Sequence, residues 1–255
     1  MAGETVKTEA LCLDIRPWSQ TSHVVNWLTD FGTVATVVKG AERPKGAFLG
    51  AYDLNYTCEI IYYARASGEL HALRECTPLN RRDALRGCYR TLALAGYFRS
   101  LAIQTAPRGP EGRQWLRLLS DALDDLARDA AAFPRDGARL LDRMIDFDLA
   151  LLDLAGLTPD FSGYDSTAEW SPFSIENAAF TPGCPHPVRI GREVARRLAD
   201  RDGARVAGEK NMQILLDAAR VIGVFYSFHL DCAPDVRRSV LAMISNTTKD
   251  ANEHG

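Results

Sequence analysis

The strongest constraint on what this chain can fold into is a change of rhythm at Thr77-Pro78-Leu79-Asn80. Before that point apolar residues alternate or cluster in short runs rich in β-branched and aromatic types. After it they recur at helical spacing. Thr5–Asp14 (TVKTEALCLD), His23–Thr29, Gly32–Lys39, Asp53–Ala64 and Glu69–Cys76 read as five strands. Arg16-Pro17-Trp18-Ser19-Gln20-Thr21-Ser22 breaks the first, because proline cannot continue a central ladder. Ala66-Ser67-Gly68 reads as a hairpin turn. Five strands with no long helix among them suit a small closed barrel of the OB type.

Beyond the change, Asn80 and Asp83 form an N-cap pattern. A helix is expected from Arg81 through Leu85, Tyr89, Leu92, Tyr97 and Leu101, ending at Thr105–Pro110. Glu111–Ala132 and Asp136–Ala155 follow, the latter stopped by Gly156 and Pro159. Residues 157–190 are rich in Pro, Gly and Ser and read as a loop-rich insert. Arg192–Asp200, Glu209–Leu230 and Asp235–Ser245 are further helices, and residues 249–255 a flexible tail. The expected fold class is α+β. It places an N-terminal five-stranded OB-fold barrel, residues 1–79, before an all-helical domain, residues 80–248, that carries the insert.

Six scattered cysteines (Cys12, Cys58, Cys76, Cys88, Cys184, Cys232) without a CxxC pair fit buried thiols in a reducing cytoplasm. No apolar run approaches a membrane span, and the opening Met1–Glu9 is polar rather than a secretory signal. The net charge of −3 is unevenly spread. Arg81–Pro110 holds six arginines against one acid, Glu111–Asp160 six against eleven, and Arg189–Arg205 six against three. A mildly acidic chain arranged this way can still present a basic face to a polyanion.

The stretch that points to a ligand is Thr29–Gly50, TDFGTVATVVKGAERPKGAFLG. A turn at Asp30-Phe31-Gly32 leads into a strand, and then into a hairpin-like loop carrying Lys39, Arg43, Pro44 and Lys45 between glycines. Glycines let backbone and cations approach a phosphodiester, and a cationic loop at a barrel end is a usual way to hold single-stranded nucleic acid. The alternative is an ordinary solvated loop.

With these elements in place the chain resembles the bacterial recombination mediator family RecO. The likeness rests on RPWSQTSHVVNWLTDFGTVATVVKGAERPKG, GELHALRECTPL, FDLALLDLAGLTPDF and FHLDCAPDVRRSVL, in that order and spacing. The resemblance implies a protein that is not an enzyme. Such proteins bind single- and double-stranded DNA, anneal complementary strands and dock the C-terminal tail of single-strand-binding protein. With RecR they help load RecA, in the cytoplasm at the nucleoid and with no membrane partner. Many relatives carry two CxxC pairs that bind zinc; here Phe161–Pro187 offers only Cys184 and His186. A structural zinc needs four ligands, so no cofactor is expected. Packing of Phe161, Tyr164, Trp170, Phe173 and Phe180 is expected to hold the segment instead. Glu42 stands where the family's loop is often basic.

The DNA-contacting residues expected are Lys39, Arg43 and Lys45, flanked by Arg16 and Lys7, with Arg81, Arg82 and Arg86 continuing the path along a helix. Arg90, Arg192, Arg196 and Arg197 are weaker candidates on helix surfaces. Arg237 and Arg238 match the family's C-terminal basic run. Trp18 and Tyr52 are stacking candidates, whereas Trp27, Phe31, Tyr56 and Tyr62 read as core. Catalytic motifs are absent: no HExxH, GxSxG, GxxxxGK[ST] or GxGxxG occurs. The pairs Asp142/Asp146 and Asp124/Asp125 leave a metal-dependent nuclease as one alternative. An OB-fold scaffold for RNA or protein is the other.

Overall fold

The computed structural model describes residues 4–65, 70–130, 136–200, 210–230 and 235–245. The expected turn at Ala66-Ser67-Gly68, Cys232 and the tail from Lys249 lie outside them. The chain forms two compact units, Met1–Gly87 with Phe98–Arg128, and Cys88–Tyr97 with Asp129–Gly255.

In the first unit β1 (Thr5–Ser19), β2 (Ser22–Thr29), β3 (Gly32–Val38), β4 (Thr57–Tyr63) and β5 (Leu70–Asn80) close into a barrel. Its strand order is β1-β2-β3-β5-β4, with β3 and β5 the parallel pair. Strand alternation turns Ala10, Cys12, Val25, Trp27, Val38, Cys58, Ile60, Tyr62 and Leu73 into one apolar interior. Each large side chain there contributes roughly 1.5–3 kcal/mol by leaving water. The buried indole of Trp27 donates to Thr36 Oγ1 at 2.8 Å, so its polar edge is satisfied.

Two strands run further than their prolines suggest. β1 continues through Pro17, and β5 through Pro78 to Asn80. Past Leu11 the β1 ladder pairs with β2 alone, and past Ala72 the β5 ladder pairs with β4 alone. A one-sided strand tolerates a missing N–H. The chain between β3 and β4 is likewise not a hairpin: β5 lies between those strands in the barrel, so residues 39–56 form a crossover.

The expected helix from Arg81 does not start there. Arg82 takes the left-handed conformation, φ 49°, and Asn80 Oδ1 accepts from the Arg82 N–H at 3.2 Å in a turn. A short 3-10 turn, Asp83–Gly87, follows before α1 (Tyr89–Thr105) begins. The bend drives the Arg82 guanidinium into a buried position. There it donates to Asp124 at 2.6 Å, Asn55 O at 2.8 Å and Thr57 Oγ1 at 2.9 Å. Asp124 belongs to α2 (Gly112–Asp129), whose start packs on the β2–β3 turn. Gly32, at φ +89°, pairs with Arg108, and the Gly109 N–H donates to Phe31 O at 3.1 Å. A Cβ on Gly32 would sit 2.2 Å from Pro107 O, and one on Gly112 would sit 2.1 Å from Gly32 N. Phe31, expected in the core, is 60% exposed: the corner uses its backbone and turns its ring outward.

The second unit holds the first half of α1, α3 (Gly137–Leu154), α4 (Arg192–Ala199), α5 (Lys210–His229) and α6 (Asp235–Ser245). Asp136 caps α3 by accepting from the Arg139 N–H at 3.0 Å. At its centre Asp148 is fully buried, accepting from Tyr97 Oη at 2.7 Å and from Arg237. Tyr226 donates to the Asp148 carbonyl, and Arg237 also donates to Ala219 O at 2.7 Å. Arg237 therefore pins α6 to α3 and α5, and cannot reach DNA from this position. Its neighbour Arg238 is exposed and pairs with Asp235 one turn away.

The insert is not all loop. β6 (Trp170–Ser174), β7 (Ala179–Phe180) and β8 (Val188–Gly191) form a sheet ordered β7-β6-β8. Phe173 anchors it, 4.8 Å from Phe161 and 5.2 Å from Phe180, and Tyr164 lies 6.3 Å from Phe180. Trp170, expected in that cluster, is instead 42% exposed beneath the Arg189 guanidinium, 4.3 Å from the ring centroid.

Two substitutions probe these joints. Gly32→Ala should lower the unfolding free energy measured by urea titration by about 2 kcal/mol or more, since a methyl group must displace backbone at a left-handed position; an unchanged unfolding free energy would refute the close approach. Arg237→Met should cost about 3 kcal/mol or more by stranding a buried carboxylate. Arg238→Met should stay within about 0.5 kcal/mol by the same measurement, and equal effects would refute the assignment of the buried pair.

Candidate nucleic-acid interface

The crossover of residues 39–56 is built from consecutive turns. Arg43 N–H donates to Gly40 O, Gly46 N–H to Arg43 O, Leu49 N–H to Gly46 O and Ala51 N–H to Phe48 O. A Cβ at Gly46 would lie 2.9 Å from Arg43 O, so this turn requires glycine. Ala41 and Tyr52 are buried in the barrel core, and Phe48, Ala51 and Leu54 pack partly against it. With these five seated against the barrel, the loop exposes Lys39, Arg43 and Lys45. Among the described residues none of these three has a carboxylate partner.

Glu42, the one acid among them, is held by His23. The imidazole lies 3.0 Å from Glu42 Oε1 through Nε2 and 2.8 Å from Tyr52 Oη through Nδ1. Glu42 N–H also reaches Thr21 O at 3.5 Å, which joins the β1–β2 turn to the loop. Burial pushes the Tyr52 phenol well up, so it stays a neutral hydroxyl. At the far end of the loop the Cys58 and Cys76 thiols lie 3.7 and 3.6 Å from Ala51 O. Burial pushes the Cys12 thiol up as well; it serves as packing rather than as a nucleophile.

The remaining candidates divide by partner. Arg16 is exposed and bonds Asp14 at 2.6 Å, and Lys7 pairs with Glu59 at 2.9 Å. Arg81 is exposed and donates to Gly50 O at 3.2 Å, at the loop's end. Arg86 pairs with Asp53 at 2.6 Å, and both Arg81 and Arg86 lie over the Tyr56 ring. Arg82, expected on a helix surface, is buried by the contacts described above and drops out. Trp18 is 63% exposed near the β1–β2 turn, as a stacking platform requires. Tyr52 is not: the barrel wall and His23 cover its ring. Trp27, Tyr56 and Tyr62 are buried as expected. The part played by His23 has no motif in the sequence, since its partners lie 19 and 29 residues away.

The carboxylate pairs considered for a metal site are occupied by guanidinium groups. Asp142 and Asp146 both accept from Arg197, at 3.0 and 2.7 Å. Asp124 accepts from Arg82, and Asp125 from Arg128 at 2.6 Å. Arg196 is taken up by Glu193 on its own helix. In the insert, Cys184 is half-buried after a turn closed on Thr181 O, and His186 is exposed at φ 55°. Among the described residues no three potential ligands gather, and two donors do not fit a tetrahedral structural zinc.

Comparison with known proteins bears on this barrel directly. Residues 1–82 match the family model described as Recombination protein O N terminal. The protein named DNA repair protein RecO of Rhodopirellula baltica is 31% identical over 159 residues, covering 59% of this chain and 53% of that protein. The chain thus spans about half the length of the curated relative it matches. The matched span of the family model covers all five barrel strands.

Proposed function

We propose that this chain is a recombination mediator in DNA repair that grips the sugar-phosphate backbone with the crossover loop of its barrel. The carrying observation is that Lys39, Arg43 and Lys45 are exposed and lack carboxylate partners among the described residues, while Arg16, Arg86 and Arg238 are each paired to an acid. Free cations next to an exposed indole suit a strand whose phosphates are bound without sequence readout and whose bases stack. Trp18 supplies the platform, and Arg81, already bound to the Gly50 carbonyl of the loop, extends the track.

On this reading the chain binds single- and double-stranded DNA and anneals complementary strands. It acts with RecR and the acidic tail of single-strand-binding protein to load RecA in the cytoplasm. Annealing needs charge neutralisation and base exposure but no bond chemistry, in keeping with a loop that offers cations and no activated nucleophile. No helix among the described residues is long and apolar enough to cross a membrane. The insert folds on its aromatic cluster without zinc.

Lys39→Glu with Arg43→Glu should weaken binding to a single-stranded oligonucleotide at least about tenfold at moderate salt. It should also flatten the plot of log affinity against log salt by about 1.4, and slow annealing of two complementary oligonucleotides. Unchanged binding would remove the loop from the interface. Elemental analysis of the purified chain should give far less than one zinc per molecule, and chelator should leave its circular dichroism unchanged. A full equivalent of zinc would overturn the account of the insert.

A further inference from the structure

We propose that Trp18 and Leu49 let the crossover loop tell unpaired bases from paired ones. The loop then holds a single strand by bases and phosphates, and a finished duplex by phosphates alone. This deepens the reading of the loop as the DNA contact and rests on it. Leu49 is the exception among the loop's large apolar residues: Phe48, Tyr52 and Leu54 pack against the barrel, whereas Leu49 is 63% exposed. Its outward placement is built into the backbone. The Leu49 N–H donates to Gly46 O at 3.2 Å, Gly50 follows in the left-handed conformation at φ 71°, and Arg81 donates to the Gly50 carbonyl at 3.2 Å. Leu49 thus stands between two cations, Lys45 before it in the loop and Arg81 bound just after it. Neither has a carboxylate partner among the described residues. Trp18 is the corresponding side chain at the other end, 63% exposed at the β1–β2 turn. The Thr21 carbonyl of that turn accepts from the Glu42 N–H at 3.5 Å, beside Arg43.

This mixture of side chains separates two kinds of DNA. A duplex offers phosphates at a higher axial charge density than a single strand, so cations alone favour the duplex. Base faces inside a duplex are stacked on one another and closed to an indole or an isobutyl group, while those of a single strand are open. Apolar contact with a base adds affinity without releasing counterions, so it leaves the salt dependence of binding untouched. When a complementary strand pairs with the bound one, the base contacts are lost and only the salt-sensitive grip remains, which loosens the product. An apolar wedge driven between base pairs is the competing arrangement, and it would strengthen the hold on duplex instead.

The test measures affinity for three probes: a single-stranded oligonucleotide, the same oligonucleotide paired to its complement, and a strand of equal length built from stable abasic residues. The proteins are the unaltered chain, Trp18→Ala with Leu49→Ala, and Lys39→Glu with Arg43→Glu. The double alanine variant should bind the single strand at least about fivefold more weakly. It should bind the duplex as before and keep the slope of log affinity against log salt. The unaltered chain should bind the abasic strand at least about fivefold more weakly than the ordinary one. Undiminished single-strand affinity in the alanine variant, equal losses on single strand and duplex, or an abasic strand bound as tightly as the ordinary one overturns the proposal. The abasic strand needs no variant, and it decides if the alanine variant does not fold. Lys39→Glu with Arg43→Glu should weaken binding to single strand and duplex alike. If it does so while the alanine variant binds normally, the phosphate contact stands and the base contact falls; if it binds both as before, the loop is not the DNA contact at all.

Discussion

The barrel closes through one short parallel ladder, Ala35–Val37 against Leu70–Ala72, and the candidate interface follows from that closure. With β5 between β3 and β4, the chain leaving β3 cannot turn back as a hairpin. It has to cross, and residues 39–56 do so as a series of turns. The crossing costs backbone order, which is offset by seating Ala41, Phe48, Tyr52 and Leu54 against the core. With those four seated inward, Lys39, Arg43 and Lys45 of the same loop are exposed.

Arginine has two employments in this molecule, and burial separates them. Arg82 in the first unit and Arg237 in the second each donate to a carboxylate, a hydroxyl and a main-chain carbonyl. A buried guanidinium bonded to a carboxylate fixes geometry, because removing either partner strands the other. Arg82 does so at the cost of a left-handed backbone, which is what delays the first helix. Surface arginines such as Arg86 and Arg238 are matched to nearby acids and contribute little to stability. Lys39, Arg43 and Lys45 on the crossover loop are exposed and have no carboxylate partner among the described residues.

Much of the first unit was legible in the residues. Alternation located all five strands, and the glycine-bracketed Lys39–Lys45 stretch located the loop. Pro17 and Pro78 misled because their effect depends on whether a strand has one neighbour or two, which is a property of the closed barrel and not of the local chain. Phe31 misled for a related reason: the corner at Gly32 is held by backbone contacts with Pro107–Gly112, seventy-odd residues away in the chain. The helical spacing of Arg81, Arg82 and Arg86 carried no sign that Arg82 would turn inward, since its anchor, Asp124, lies on another element. Arg237 and Arg238 are indistinguishable as letters; only Asp148, set between Phe147 and Leu149 on the apolar side of its helix, hinted at a buried partner. The short sheet of the insert was hidden by Pro and Gly, although the aromatics that hold it were readable.

The central claim, that the crossover loop itself meets the sugar-phosphate chain, is tested most directly by lysine footprinting. Acylation of the native chain by a small amine reagent, read by mass spectrometry, reports each lysine with and without a saturating single-stranded oligonucleotide. The account expects Lys39 and Lys45 to be shielded by the oligonucleotide, and Lys7, already paired with Glu59, to react as before. Full reactivity of Lys39 and Lys45 under saturating DNA would contradict it.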